Sequence, residues 1–385
     1  MFAEAFRRVP REQIYARTGI QFLEFNTLYQ LLAVALTDRR RLDAAARLLF
    51  MPDLFTYWLT GRQGSEHTIA STSQLYDVAA GQWASDLLTG LGLPAEIMPP
   101  VAPSGTVVGP LLPRLAGDAG LSPTEVIATA AHDTASAVAA VPARGNGWAY
   151  ISSGTWSPVG VELPAPLRTP AALAGNFTNE GGAAGTVRFL KNVAGLWLVQ
   201  ESRRTWATQG QSFSFDELTR MAAEAPPLVS FVDPDDARFA EPGDLPRRIQ
   251  DACAARGQRV PQSPGEIVRC ALESLALKYR LTIGQIERVT GRAIKVIHVV
   301  GGGAHNELLC QLTADATDRP VIAGPAEATA TGNVMLQALA RGRVSSLDEI
   351  REIIARSISL RHYQPRSSPA WEQAERFMVQ DLREG

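Results

Sequence analysis

"KVIHVVGGGAHNELLCQLTADATDRPVIAGP", residues 295–325, sets an apolar run before three consecutive glycines, then a stretch with helical spacing, then a second apolar run. The pattern predicts strand, glycine loop, helix and strand, a βαβ-type unit that places the chain among α/β folds. Gly301, Gly302 and Gly303 let the backbone approach a ligand closely and aim N–H groups at it, as a nucleotide site requires; a plain tight turn would use the same residues. The dinucleotide fingerprint fails because its third glycine would fall at Asn306, and no GK[ST] follows to make a Walker A loop.

Outward from this unit, "SPGEIVRCALESLALKYRLTIGQIERVTG" opens with Ser263, Pro264 and Glu266 in capping-box order and carries Val268, Leu272, Leu275, Tyr279 and Ile286 on one helical stripe. Earlier, "WAYISSGTWSPVGVEL" reads as a hairpin folded about Gly154, and Gly145 and Gly147 before it mark a break. "EVIATA" predicts a buried strand that runs into an alanine-rich helix, with Asp133 at the junction. An acid there caps the helix by accepting its free N–H groups, or it takes a proton from a substrate hydroxyl; the residues leave both roles open.

The first third is helical, with "TLYQLLAVAL" and "DAAARLLFMPDLFTYWLTG", the latter stopped by Gly61, and an amphipathic helix "SLDEIREIIARS" closes the chain. The expected division is a first domain at 1–144, a second at 145–345 and a helical tail at 346–385.

With 385 residues and 45% apolar content the chain supports two packed cores. A net charge of −2 without a basic block excludes a nucleic-acid footprint. Cys253, Cys270 and Cys310 are odd in number and far apart, so they are expected as reduced thiols of a cytoplasmic protein and not as a disulfide or zinc framework. Neither a secretory leader nor a membrane-length apolar run is present in the sequence.

"SSGTWS", residues 152–157, offers Gly154 and Thr155 as an anion-binding nest or as an ordinary turn. Asn176, Asn179 and Glu180 form a polar turn, whereas Asn192 and Gln200 are amides in an apolar run, eight residues apart and therefore expected on one side of a helix. An acid at a strand end, a phosphate hairpin and a nucleotide loop together suit phosphoryl transfer, which needs positioning, a metal and a residue to take a hydroxyl proton.

The stretches "GIQFLEFNTLYQL", "HTIASTSQLYD", "HDTASAVAAVPA", "YISSGTWSPVGVE", "NFTNEGG", "RFLKN" and residues 299–333 resemble the FGGY carbohydrate kinases, in the branch that phosphorylates rhamnulose. The resemblance implies a two-domain, actin-like (ribonuclease H-like) ATPase fold and transfer of phosphate from ATP, with Mg²⁺, to O1 of L-rhamnulose in rhamnose catabolism. It implies Asp133 as the base, His132, Thr134 and Asn192 as sugar contacts, and Thr155, Gln200 and Gly302 as nucleotide contacts, in a monomer without nucleic-acid or membrane partners. The family's first segment, a strand pair with an Asp-Gly phosphate loop, has no counterpart in residues 1–60. The first domain is therefore expected to be incomplete and the chain as it stands to be a poor kinase. A catalytically silent binding protein, or a kinase for a related ketose such as L-fuculose or xylulose, is the alternative.

Overall fold

The computed structural model describes residues 1–122 and 124–384. Its contacts divide the chain into two units, one of residues 1–140, 161–191 and 328–354, the other of 141–160, 192–327 and 355 onward. The consecutive division at 144 and 345 assigns 161–191 and 328–345 to the second domain and 346–354 to the tail, whereas these stretches pack with the first unit. Helix Ala328–Ala340 lies so close to helix Asp133–Ala139 that a Cβ on Gly332 would stand 1.8 Å from the Ser136 carbonyl oxygen.

In the second unit the strand order is Arg361–Tyr363, Val321–Ala323, Val296–Val300, Trp148–Ser152, Trp156–Leu163. Val296–Val300 runs parallel to both of its neighbours, with Ile297 opposite Val321 and Ala149, and helix Glu307–Thr317 makes the crossover read from the sequence. Buried on both sides, this strand is apolar nearly throughout, as parallel strands are. Helix Pro264–Thr290 carries the expected capping box at Ser263 and Glu266, and its whole stripe of Val268, Leu272, Leu275, Tyr279 and Ile286 is buried. At about 1.5–3 kcal/mol for each large apolar side chain against about 1 kcal/mol for a cap, packing and not capping holds the helix in place. The chain does not close on the 347–357 helix. Residues 361–363 form an edge strand antiparallel to Val321–Ala323, and helix Pro369–Glu384 follows.

In the first unit, helix Met51–Thr60 ends at Gly61, whose φ of 73° is the left-handed conformation that glycine adopts without strain. The helix starts later than its apolar pattern suggests. Phe50 is the N-cap and Pro52, which lacks the N–H an interior position would need, sits in the first turn. Tyr15 Oη donates to the Phe177 carbonyl at 2.9 Å, and the Phe177 ring stacks on Phe189 at 4.8 Å. Thr178–Gly181, beside Phe177, is a wholly buried strand antiparallel to residues 187–190, so Asn179 and Glu180 lie in a strand and not in the expected polar turn. Glu125–Ala128 is a strand as predicted but is not buried. Its pairing is with Thr106–Pro110 alone, in a two-stranded ribbon, so its side chains stay half-exposed or exposed.

Asp53 ties helix Met51–Thr60 to the strand that leads toward the site. Its carboxylate is buried and accepts from Ser65 Oγ at 2.6 Å and Glu66 N at 3.0 Å. Burial outweighs these bonds and pushes its pKa up to about 6. A folded-state pKa above the unfolded one means that the folded chain binds the proton more tightly. The associated stability is therefore full below about pH 4 and lost as pH rises through about 6. Asp53→Asn is expected to remove that slope: between pH 4.5 and 7.5, urea denaturation should show the parent losing about 2 kcal/mol more than the variant. Identical pH slopes in the two proteins would contradict this.

Candidate active site

Helix Asp133–Ala139 begins where the 125–128 strand and the buried Thr129 and Ala130 deliver the chain. His132 is the N-cap residue, and Asp133 is the first residue inside the helix. Oδ1 of Asp133 accepts from Thr134 N at 2.6 Å and Thr134 Oγ1 at 3.2 Å, so the acid does take a first-turn N–H. Its side chain is nonetheless 79% exposed, and it borders a cavity of about 510 Å³ within the first unit, lined also by Glu66, Thr129, Ser136, Thr329 and Asn333. Ser136 Oγ donates to the Ala130 carbonyl at 2.7 Å and fixes the turn into the helix. Thr134 is buried with its hydroxyl on Asp133, which makes it a support for the acid as much as a wall of the site.

Two features of this site carry no strong local signal in the sequence. Oε2 of Glu66 accepts from Thr68 N (2.9 Å), Ile69 N (3.3 Å), the Thr68 hydroxyl and Ala131 N (3.0 Å), and the Thr68 hydroxyl in turn accepts from His132 N at 3.0 Å. One carboxylate thereby caps helix His67–Ser71 and holds the backbone next to Asp133; glutamate is not a favoured cap residue, so nothing local announces it. The second feature is a row behind the acid, buried at Glu180 and Arg188 and half-buried at His132. His132 Nε2 lies 3.9 Å from Asp133 Oδ1, its Nδ1 lies 3.7 Å from Glu180 Oε2, and Arg188 Nη1 lies 3.0 Å from the same Glu180 oxygen. Burial, with Arg188 nearby, holds the His132 imidazole below its ordinary pKa. Glu180 therefore belongs to the site, whereas Asn176 and Asn179 are structural: Asn176 Oδ1 accepts from Phe22 N at 2.9 Å and Asn179 Nδ2 donates to the Gly19 carbonyl at 3.0 Å.

In the second unit, strands Trp148–Ser152 and Trp156–Leu163 form the expected hairpin, and Thr155 Oγ1 at its tip donates to Gln200 Oε1 at 3.0 Å. The two residues expected to face the nucleotide are thus brought together. The nest reading needs correcting, because the Gly154 N–H is already bonded to the Trp156 carbonyl at 2.9 Å. The helical relation of Asn192 to Gln200 also fails. Asn192 is on strand Val187–Ala194 and Gln200 on helix Trp197–Thr208, separated by a turn at Gly195 where a Cβ would stand 2.6 Å from the Gly154 carbonyl oxygen. Beside Asn192, the Ala194 N–H is held at 2.7 Å by Asp235, which with Asp233 pairs the buried Lys278. Burial alone would lower Lys278, but the two carboxylates outweigh it and hold the ammonium above its ordinary pKa.

The three glycines divide. Gly301 has φ 83° and Gly303 N donates to the Ser153 carbonyl at 2.8 Å; a Cβ would stand 3.0 Å from Ser153 O at the first and 1.9 Å from Ser153 Oγ at the second. Both are required by packing against the hairpin. At Gly302 a Cβ would meet nothing within 4 Å, so this position alone is open to a ligand. Among the described residues there is no group of three or more His, Cys, Asp or Glu side chains able to hold a metal, and no helix is long and apolar enough to cross a membrane.

Models of the N- and C-terminal domains of the FGGY family of carbohydrate kinases match residues 3–140 and 149–341. The chain belongs to this family and has its two-domain, actin-like ATPase fold. It is 44% identical over 369 residues to the rhamnulokinase of Bacteroides thetaiotaomicron, across 96% of this chain and 75% of that one. It is 41% identical over 355 residues to the rhamnulokinase of Enterococcus faecalis, across 92% and 71%. Among solved structures, the xylulose kinase from Rhodospirillum rubrum superposes with a TM-score of 0.74 at 21% identity, over 99% of this chain and 76% of that chain, a likeness of fold.

Proposed function

We propose that this chain transfers the γ-phosphoryl group of ATP to O1 of L-rhamnulose, in the cytoplasm, giving L-rhamnulose 1-phosphate and ADP. The observation that carries this reading is the Asp133 carboxylate, exposed at the edge of a cavity and held in orientation through one oxygen by Thr134. Asp133 takes the proton of the sugar's primary hydroxyl as that oxygen bonds to the γ-phosphorus and the bond from phosphorus to the ADP oxygen breaks. His132, Thr134 and Asn192 orient the sugar, and Thr155, Gln200 and the open backbone at Gly302 take the nucleotide. A magnesium ion would neutralise charge on the phosphates, and one or two carboxylates beside the phosphate oxygens would be enough to hold it.

A coupled assay of ADP release with L-rhamnulose, L-fuculose and xylulose as acceptors tests the proposal, and a preference for either of the other ketoses would overturn the substrate assignment. At the hairpin, Thr155→Val removes the hydroxyl that meets Gln200. It is expected to raise KM for ATP by about tenfold, the worth of one hydrogen bond, with sugar affinity unchanged. Calorimetry showing weakened sugar binding and intact nucleotide binding would assign Thr155 to the other substrate.

A further inference from the structure

The row behind Asp133 leaves polar atoms unsatisfied. Arg188 is completely buried, with Nε on the Gly181 carbonyl at 3.0 Å, yet neither Nη atom makes a hydrogen bond, and the same holds for Glu180 Oε2 and His132 Nδ1. The contact of 3.0 Å between Arg188 and Glu180 is thus an ion pair without hydrogen-bond alignment. The ion pair compensates Arg188 Nη1 and Glu180 Oε2, which leaves Arg188 Nη2 and His132 Nδ1 beside a reactive acid at a cost of about 1–3 kcal/mol each, and this calls for a reason.

The reason lies in what Glu180 can accept. Carboxylates face both ring nitrogens and only accept hydrogen bonds, but Asp133 is exposed and its Oδ1 is already satisfied by Thr134, whereas Glu180 is buried and its Oε2 accepts no hydrogen bond, so Nδ1, 3.7 Å from Glu180, is favoured as the protonated nitrogen. Burial and Arg188 hold the imidazole below its ordinary pKa against the opposing charges of Glu180, Asp133 and Glu66, which favours the neutral ring. A neutral ring with its hydrogen on Nδ1 leaves Nε2 as an acceptor, on the side of Asp133. We infer that Glu180, fixed by Arg188, is a positioning residue that holds His132 in the Nδ1–H tautomer, so that Nε2 accepts a hydrogen bond from a hydroxyl of the sugar next to the one that reacts.

The inference rests on the sugar-binding reading of His132. Asp133, through the oxygen that Thr134 leaves free, and His132 Nε2, which lies 3.9 Å from the oxygen that Thr134 holds, then present two neighbouring acceptors, suited to an adjacent pair of hydroxyls, one giving up its proton and the other only sharing it. The separation of 3.7 Å from Nδ1 to Glu180 exceeds a hydrogen bond, so at this distance Glu180 selects the tautomer through its charge.

The test is nitrogen-15 NMR of the imidazoles in the full chain without sugar, near pH 7.5, where the five histidines are few enough to assign by a His132→Gln comparison. The expected spectrum shows His132 with a pyrrole-type Nδ1 and a pyridine-type Nε2. An Nε2–H tautomer or a doubly protonated ring would overturn the inference. Glu180→Gln weakens the acceptor without changing its shape. It is expected to mix the two tautomers and raise KM for L-rhamnulose about tenfold with KM for ATP unchanged, a split that general loosening would not produce. An unaltered spectrum and sugar KM in that variant would overturn it too, and should the variant not fold, the spectrum of the parent still decides. Because that spectrum needs no turnover, a chain inactive toward L-rhamnulose would count against the proposed function and not against the tautomer.

Discussion

Asp133→Asn is expected to lower turnover of L-rhamnulose by about 10²–10⁴, the contribution of a general base, with little change in ATP affinity. Asparagine keeps the size and the oxygen that accepts from Thr134 at 2.6 Å, so the start of helix Asp133–Ala139 should be undisturbed. What disappears is the capacity to take a proton. The measurement is kcat for the two proteins side by side, with calorimetry for nucleotide and thermal unfolding as a control on the fold. Equal turnover would reduce Asp133 to a residue that secures the first turn.

Gly332→Ala should do nearly as much damage without touching a reacting atom. The added methyl group would sit 1.8 Å from the Ser136 carbonyl oxygen and 2.7 Å from its carbon, and backbone cannot rotate away as a side chain can. Helix Ala328–Ala340 has to retreat. It carries Thr329, whose hydroxyl donates to the Asp133 carbonyl at 3.3 Å, and Asn333, whose amide donates to Thr129 Oγ1 at 2.9 Å, so Asp133 moves with it. Overpacking of this kind costs about 1–3 kcal/mol of stability, and a displacement near 1 Å can cost about 10²-fold in rate. Urea denaturation and kcat on the same preparation check both figures. A variant as stable and active as the parent would mean that the two helices have room the close approach denies them.

The sequence was legible where structure is decided locally. The βαβ unit at 296–323, the capping box at Ser263 and the helix stop at Gly61 each depend on residues within a turn or a strand length of one another. The motifs around Asp133 and Thr155 were legible as well, although their roles came from likeness to a family. Burial was less readable. The 125–128 apolar pattern gives a strand correctly, but its exposure depends on how many neighbours that strand finds. Periodicity misled between Asn192 and Gln200 because Gly195 breaks the chain there to admit the 154 carbonyl, a contact the local pattern does not contain. Glu66 is 65 residues from the Ala131 N–H it holds, and Arg188 reads as one charge in an apolar run until Glu180 stands against it. Such partners are properties of the folded chain.

Two of the three glycines at 301–303 are committed to the hairpin by a serine that leaves no space for a methyl group, while the middle one has nothing in front of it. Selection for folding and selection for ligand therefore act on different residues of one loop. A mutation at 301 or 303 is screened first by whether the protein survives, and one at 302 by what it binds. On the proposed reading of Gly302 as a nucleotide contact, the donor site can change there without the packing cost that 301 and 303 carry.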